Sequence, residues 1–143
     1  MTIQRRHRMT ILFVCCLAIS GCSGSGEPRP VPVSGTVEYN GQPLTQGNVA
    51  FVPVVATEGH AARGSIGPDG SFELTTFESG DGALPGDYKV TVFANDGMRD
   101  VPGSALQAVG PSLIPERYNK AGTTDLLQTV RDTRTDVKLE LKD

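Results

Sequence analysis

The stretch 67–94 constrains this chain more than any other, because it holds two runs of apolar/polar alternation, each opened by a turn signal. Gly67-Pro68-Asp69-Gly70 leads into Ser71-Phe72-Glu73-Leu74-Thr75-Thr76, and Pro85-Gly86-Asp87 leads into Tyr88-Lys89-Val90-Thr91-Val92. Phe72, Leu74 and Thr76 point one way and Ser71, Glu73 and Thr75 the other. Tyr88, Val90 and Val92 likewise oppose Asp87, Lys89 and Thr91. Side chains alternate between faces along a strand, so a period of two predicts half-buried strands. The acidic, glycine-rich segment between the runs reads as a loop.

The flanking sequence repeats the pattern. Val33-Ser34-Gly35-Thr36-Val37-Glu38-Tyr39 alternates, with Val33, Val37 and Tyr39 on one face, and ends at Asn40-Gly41. That dipeptide is a strong two-residue hairpin turn, since both residues tolerate positive φ. Gln42-Pro43-Leu44 returns briefly, confined to an edge by Pro43, which has no amide to donate. Asn48 to Pro53 is apolar on both faces in part and predicts a buried strand. Ala61 to Ile66 predicts a weaker one, and Leu126 to Val130 another. In the closing run Val137, Leu139 and Leu141 face inward, opposite Lys138, Glu140 and Lys142. Between Asn95 and Thr124 no period is sustained, and loops of that length in compact domains are often functional. Within it, Leu113 to Tyr118 is the one apolar knot, expected along an edge.

About seven short strands, frequent turns and no amphipathic helix predict an all-β chain, a seven-stranded Greek-key β-sandwich over residues 33–143. Inward Val, Leu, Phe and Tyr side chains contribute roughly 1.5–3 kcal/mol each when fully buried. A dozen of them suffice for a domain of this size without disulfides.

The first residues read as an address. Arg5-Arg6-His7-Arg8 is a positive segment, Met9 to Ile19 a short apolar one, and Ser20-Gly21 supplies small residues at a cleavage point. The apolar run is short for a bilayer-spanning helix. Ile19-Ser20-Gly21-Cys22 resembles the lipobox of bacterial lipoproteins. The resemblance implies cleavage before Cys22, so that 1–21 is a signal peptide, and a palmitate-type diacyl lipid on the Cys22 sulfur. Cys15 and Cys16 follow Val14 and Cys15, where a small residue is wanted. An ordinary secretory peptide with an incidental cysteine is the blander alternative. Arg5-Arg6 also raises twin-arginine export, which the residues after it fit poorly. Ser23 after the cysteine, with no aspartate there, implies by analogy an outer-membrane location, facing the periplasm or the surface. Ser23 to Pro32 mixes Gly/Ser with alternating proline, so 22–32 reads as a tether.

Composition agrees with that address. Of three cysteines only Cys22 survives cleavage, which leaves no thiol for an internal disulfide or a Cys-based metal site. The whole chain carries a net charge of −3; losing Arg5, Arg6 and Arg8 leaves 10 of its 13 basic residues against 16 acidic ones, or −6. With no basic stripe and no aromatic stacking series, nucleic acid is excluded as a partner.

Val33 to Leu44, Pro68 to Phe72 and Leu84 to Val92 together resemble the carboxypeptidase regulatory-like, or transthyretin-like, domain. Leu113-Ile114-Pro115-Glu116-Arg117-Tyr118 resembles a late motif of short bacterial envelope lipoproteins carrying it. The resemblance implies a prealbumin-like (immunoglobulin-like) sandwich on an envelope lipoprotein, and specifies fold far better than function.

Candidate chemistry is sparse. His60 is the one histidine beyond the leader. Transthyretin-like hydrolases and related iron dioxygenases need several histidines or a His/Tyr ligand set, and no His/Cys cluster suits zinc. A Ser-His-Asp triad would recruit His60 from a glycine-flanked loop, with no Gly-x-Ser-x-Gly elbow near any serine. The expectation is a non-enzyme with no catalytic residue, no cofactor and no metal. Glu78, Asp81, Asp69, Asp87, Asp96 and Asp100 could offer oxygens to Ca²⁺, but Asp and Gly are also what tight turns demand. Phe93 and Tyr118 are open to two readings, contact residues on a surface or core packing. Tyr88 is expected at a corner, its ring in the core and its hydroxyl on backbone. The sequence therefore predicts an accessory, structural or protein-interaction module anchored to the membrane through Cys22. A carbohydrate-binding lipoprotein is the alternative and a hydrolase the third.

Overall fold

The computed structural model describes residues 28–55 and 59–143. Cys22, the proposed cleavage point and most of the tether lie outside them. The described residues form ten short strands in chain order: β1 Val33–Tyr39, β2 Gln42–Pro43, β3 Asn48–Pro53, β4 Ala62–Ser65, β5 Ser71–Glu73, β6 Gly86–Phe93, β7 Met98–Asp100, β8 Gln107–Val109, β9 Leu127–Val130 and β10 Thr135–Leu141. Among the described residues there is no α-helix, only a 3-10 turn at Glu116–Asn119, and no helix is long and apolar enough to cross a membrane.

Two four-stranded sheets form the body. In one, β10 lies parallel to β1, and the other edge of β1 pairs antiparallel with β5 along its first half and with β2 along its second. In the other the order is β4-β3-β6-β9, all antiparallel. Eight strands thus build the body where about seven are expected from the pattern, because β2 pairs for only two residues.

Alternation decides what is buried. Val33 and Val37 of β1, Val49 and Phe51 of β3, Tyr88, Val90 and Val92 of β6, and Val137, Leu139 and Leu141 of β10 all point inward. Phe51 from one sheet meets Phe72 from the other, ring centres 6.4 Å apart, and Tyr88 of its own sheet at 5.8 Å. One core between two facing sheets gives a sandwich-like all-β fold. Asn40 and Gly41 close the β1–β2 turn with φ of 50° and 78°, the conformation that a two-residue hairpin of this kind requires.

The alternation after Gly70 runs further in sequence than the strand does in space. Bonding to β1 ends with the Leu74 amide, which donates to the Val33 carbonyl at 2.9 Å, and Thr75 then exchanges both backbone hydrogen bonds with Arg63 of β4, at 2.9 and 2.8 Å. Here the chain crosses from one sheet to the other.

Register assigns each loop to an end. Val33 faces Thr135 and Ser34 faces Glu73, while Pro53 faces Tyr88 and Gly86 faces Val130. The residues 54–55 and 59–61, 74–85 and 131–134 therefore share one end with the incoming chain, the entry end. The Asn40–Gly41 turn, the Gly67–Gly70 turn and the segment 94–126 occupy the far end. At the entry end Val31 exchanges two backbone hydrogen bonds with Ala83, at 2.8 and 3.0 Å, and the Pro32 carbonyl accepts from Thr135 at 3.0 Å. The folded unit thus takes in Val31 and Pro32, two residues earlier than the boundary read from the pattern.

Candidate functional site

The segment 95–124, which shows no period in sequence, contains a hairpin standing off the body at the far end. Its base is tied down. Asn95 bridges Ser112, the Asp96 amide donates to Pro111 at 3.0 Å, and the Gly110 amide donates to Gly97 at 2.8 Å. Gln46 reaches across from the neighbouring loop to bond the Asn95 carbonyl at 2.5 Å. Beyond that base β7 and β8 pair only with each other, Met98 opposite Val109, Arg99 opposite Ala108 and Asp100 opposite Gln107. Asp96 pairs with Arg99, and Gln107 donates to Asp100 at 3.0 Å.

Every residue of β7 and β8 is exposed. Yet the hairpin carries Met98 and Val109 as a cross-strand pair on one face, with Val101 and Leu106 flanking the tip. Leu106 is 74% exposed and Met98 60%. An isolated two-stranded hairpin is marginal in water, and both outer edges of this one present backbone groups that pair with nothing in the sandwich. Apolar side chains beside open strand edges form a surface suited to strand addition or groove docking.

The remaining candidates resolve individually. Tyr118 is buried, not a contact residue. Its hydroxyl donates to the Lys142 carbonyl and accepts the Lys142 amide, both at 3.1 Å, while the Arg117 guanidinium sits 4.6 Å above its ring. Ile114 is buried beside it, so the 113–118 knot clamps the end of β10. Tyr88 fills the core and its hydroxyl donates to the Leu84 carbonyl at 2.7 Å. Burial pushes its phenol above the usual tyrosine value. Phe93 stays 45% exposed on the outer face of β6. It lines a shallow groove with Asn48, Arg63 and Thr91.

Two of the acidic residues, Asp81 and Asp69, do turn chemistry, whereas Asp96, Asp100 and Asp87 pair with Arg99, Gln107 and Thr129. Asp81 takes the amides of Thr76 at 2.7 Å and of Phe77 and Glu78 at 2.9 Å each. Burial alone would raise its carboxyl, but those amides outweigh it and hold Asp81 below the usual carboxylate range. Asp69 accepts from the Ser71 hydroxyl at 2.6 Å and amide at 3.1 Å, which lowers it too. Among the described residues no three His, Cys, Asp or Glu side chains converge on a common point. His60 packs edge-on against Phe77, ring centres 4.9 Å apart.

Fold and site together define a class: an all-β, two-sheet domain presenting an apolar hairpin from one end. No protein-family model and no curated protein matches the chain. Among solved structures it is similar to a 9R-lipoxygenase from Cyanothece PCC8801, at 13% identity and a TM-score of 0.41. The match covers 80% of this chain and 16% of the lipoxygenase. A likeness that weak carries no argument about fold or activity.

Proposed function

We propose that this chain is a non-catalytic lipoprotein of the bacterial envelope, anchored through Cys22 in the outer membrane, whose β7–β8 hairpin docks an envelope protein. Its sandwich is proposed to be a Greek-key domain of the carboxypeptidase regulatory-like type. The observation that carries the reading is the hairpin, fully exposed yet carrying Met98, Val101, Leu106 and Val109. The order of positive segment, apolar segment, small residues and Cys22 supports the anchor. The use of Asp69 and Asp81 to bind backbone, and of Tyr118 and Tyr88 as packing groups, supports a scaffold role for the groups best suited to chemistry.

The test is site-specific photocrosslinking in intact envelopes, with the crosslinker at Leu106 and, as control, at Lys138 on the sheet face. A discrete adduct at Leu106 that is absent at Lys138 is the expected result. Equal or absent labelling at both positions overturns the docking reading.

A second reading, carbohydrate binding, is favoured by one observation. Phe93 offers an exposed aromatic face beside the polar side chains of Asn48, Arg63 and Thr91. A glycan array with the soluble domain separates the two, since a glycan ligand should be lost in Phe93→Ala and kept in Leu106→Ser.

A further inference from the structure

The end of the sandwich opposite the hairpin also exposes apolar side chains. Phe77 is 58% exposed, Val54 52% and Val55 47%. They belong to two loops, Phe77 after β5 and Val54 with Val55 after β3, and register brings both loops to the entry end. The Val54 amide donates to the Asp87 carbonyl at 2.9 Å, which ties that loop to the start of β6. Beside it lies a dent lined by Pro53, Val54, Val55, Pro85 and Tyr88 together with Asp87. At this same end the chain enters the fold, with Val31 bonded to Ala83.

We propose that the entry end rests on the bilayer that anchors the protein, with Phe77, Val54 and Val55 inserted among the lipid headgroups. This rests on the lipoprotein reading and goes beyond it, since a lipid on Cys22 alone would leave the domain free to tumble on its tether. From Cys22 to Val31 the chain spans about 30 Å at most when extended, so the entry end is the part of the domain that the tether holds nearest the membrane. Tethering turns docking into an intramolecular event at high effective concentration, and a few apolar side chains are then enough to orient the body. The cationic Arg131 and Arg134 of the third entry-end loop stand beside the acidic Asp132, so the loop has no strong preference for charged lipid. The loop that carries Phe77 also bears the acidic Glu78 and Asp81, so the surface as a whole fits a zwitterionic bilayer better than an anionic one. The sandwich then stands on end, and the hairpin points away from the membrane toward its partner.

The chain contains no tryptophan, so Phe77→Trp and Leu106→Trp each introduce a single reporter at an exposed position. The full lipidated protein is reconstituted in phosphatidylcholine vesicles whose acyl chains are brominated near the headgroup. The expected result is a blue shift and loss of most emission for the reporter at 77, with neither for the reporter at 106. Equal quenching at both positions, or none at 77, overturns the proposal while leaving the anchor intact. Mass spectrometry of the same sample reads the anchor separately, and a Cys22 without acyl groups overturns both. Val54→Ser with Val55→Ser in the Phe77→Trp background should reduce the quenching, and unchanged quenching argues against a shared apolar surface.

Discussion

The Tyr118 hydroxyl and the Lys142 backbone exchange two hydrogen bonds of 3.1 Å, so a side chain from the far-end loop completes the last strand as a neighbouring strand would. Arg117 adds a contact from its guanidinium to the same Lys142 carbonyl. Tyr118→Phe removes the hydroxyl and leaves the ring. The Lys142 amide then loses its partner while the carbonyl keeps Arg117, a loss of about 1 kcal/mol. Amide hydrogen exchange should speed up at 139–142, with the β7–β8 hairpin unchanged. If exchange at 139–142 stays as in the wild type, the clamp is incidental.

Tyr88→Phe should cost more, about 1–3 kcal/mol, because the Leu84 carbonyl it bonds lies in the interior and is left without that partner. The pH dependence has a definite sign. The folded phenol is raised above its unfolded value of about 10, so its contribution is fully present below that pH and is lost as pH rises through the folded value. Tyr39 is raised as well, by its hydrogen bond to Asp143. The difference in melting temperature between wild type and Tyr88→Phe isolates Tyr88, and it should shrink in the alkaline range. A constant difference would show that the hydroxyl does not titrate with unfolding.

Asp81 sets the acid limit of the 74–85 loop. Its folded carboxyl is depressed, so its contribution is present above about pH 4 and is lost as pH falls through the lower folded value. Asp81→Asn keeps the shape but replaces one accepting oxygen with a donor. The expected loss at neutral pH is about 1 kcal/mol, modest because the loop is open to water. The variant's melting temperature should respond less to acid than that of the wild type, as measured by scanning calorimetry across the acid range. Identical acid profiles would remove Asp81 from this role.

The pattern of alternation carries much of the sheet structure because it is local. Tyr88, Val90 and Val92 alternate and all three are buried, and Asn40-Gly41 turns as its residue types require. The ends of strands are another matter. Thr75 continues the alternation of Phe72 and Leu74 yet pairs with Arg63 in the other sheet, a partner fixed only by tertiary register. The β7–β8 hairpin has the opposite character. Its strands are three residues long, polar and apolar on both faces and punctuated by Gly97, Pro102 and Gly103, so no period emerges from them. Length and lack of pattern single out 95–124 as unusual, but its pairing rests on backbone bonds that leave little trace in composition. Phe77 lies far in sequence from Val54 and Val55, and only the assembled sheets bring their loops to one end.

Gly82 sits at the join between tether and domain. Its φ is +94°, and a Cβ there would lie 1.8 Å from the Val31 carbonyl oxygen. Gly82→Ala should therefore break the Val31–Ala83 pairing and leave the rest of the sandwich folded. Faster hydrogen exchange at Val31 and Ala83, with β3 and β6 unchanged, is the expected signature. Protection retained at Val31 would mean that the loop shifts to accept the methyl group.

The hairpin itself supplies the sharpest separation of stability from function. Leu106 and Met98 are exposed and pack against no core residue, so Leu106→Ser or Met98→Ser should change stability by no more than about 0.5 kcal/mol. Their removal strips the apolar pair from one face or weakens the tip, while the open backbone edges of β7 and β8 persist. A partner held mainly by side chains in a groove should then lose crosslinking to either variant. A partner held by strand addition should tolerate these changes and respond instead to Gln107→Pro, since the bonds at Gly97–Gly110 and Val101–Leu106 turn the Ala108 amide into the hairpin and leave the Gln107 amide on the open β8 edge. Crosslinking yields from the three variants, each with a wild-type melting curve, distinguish the two modes. Full yield from all three would place the contact elsewhere on the domain.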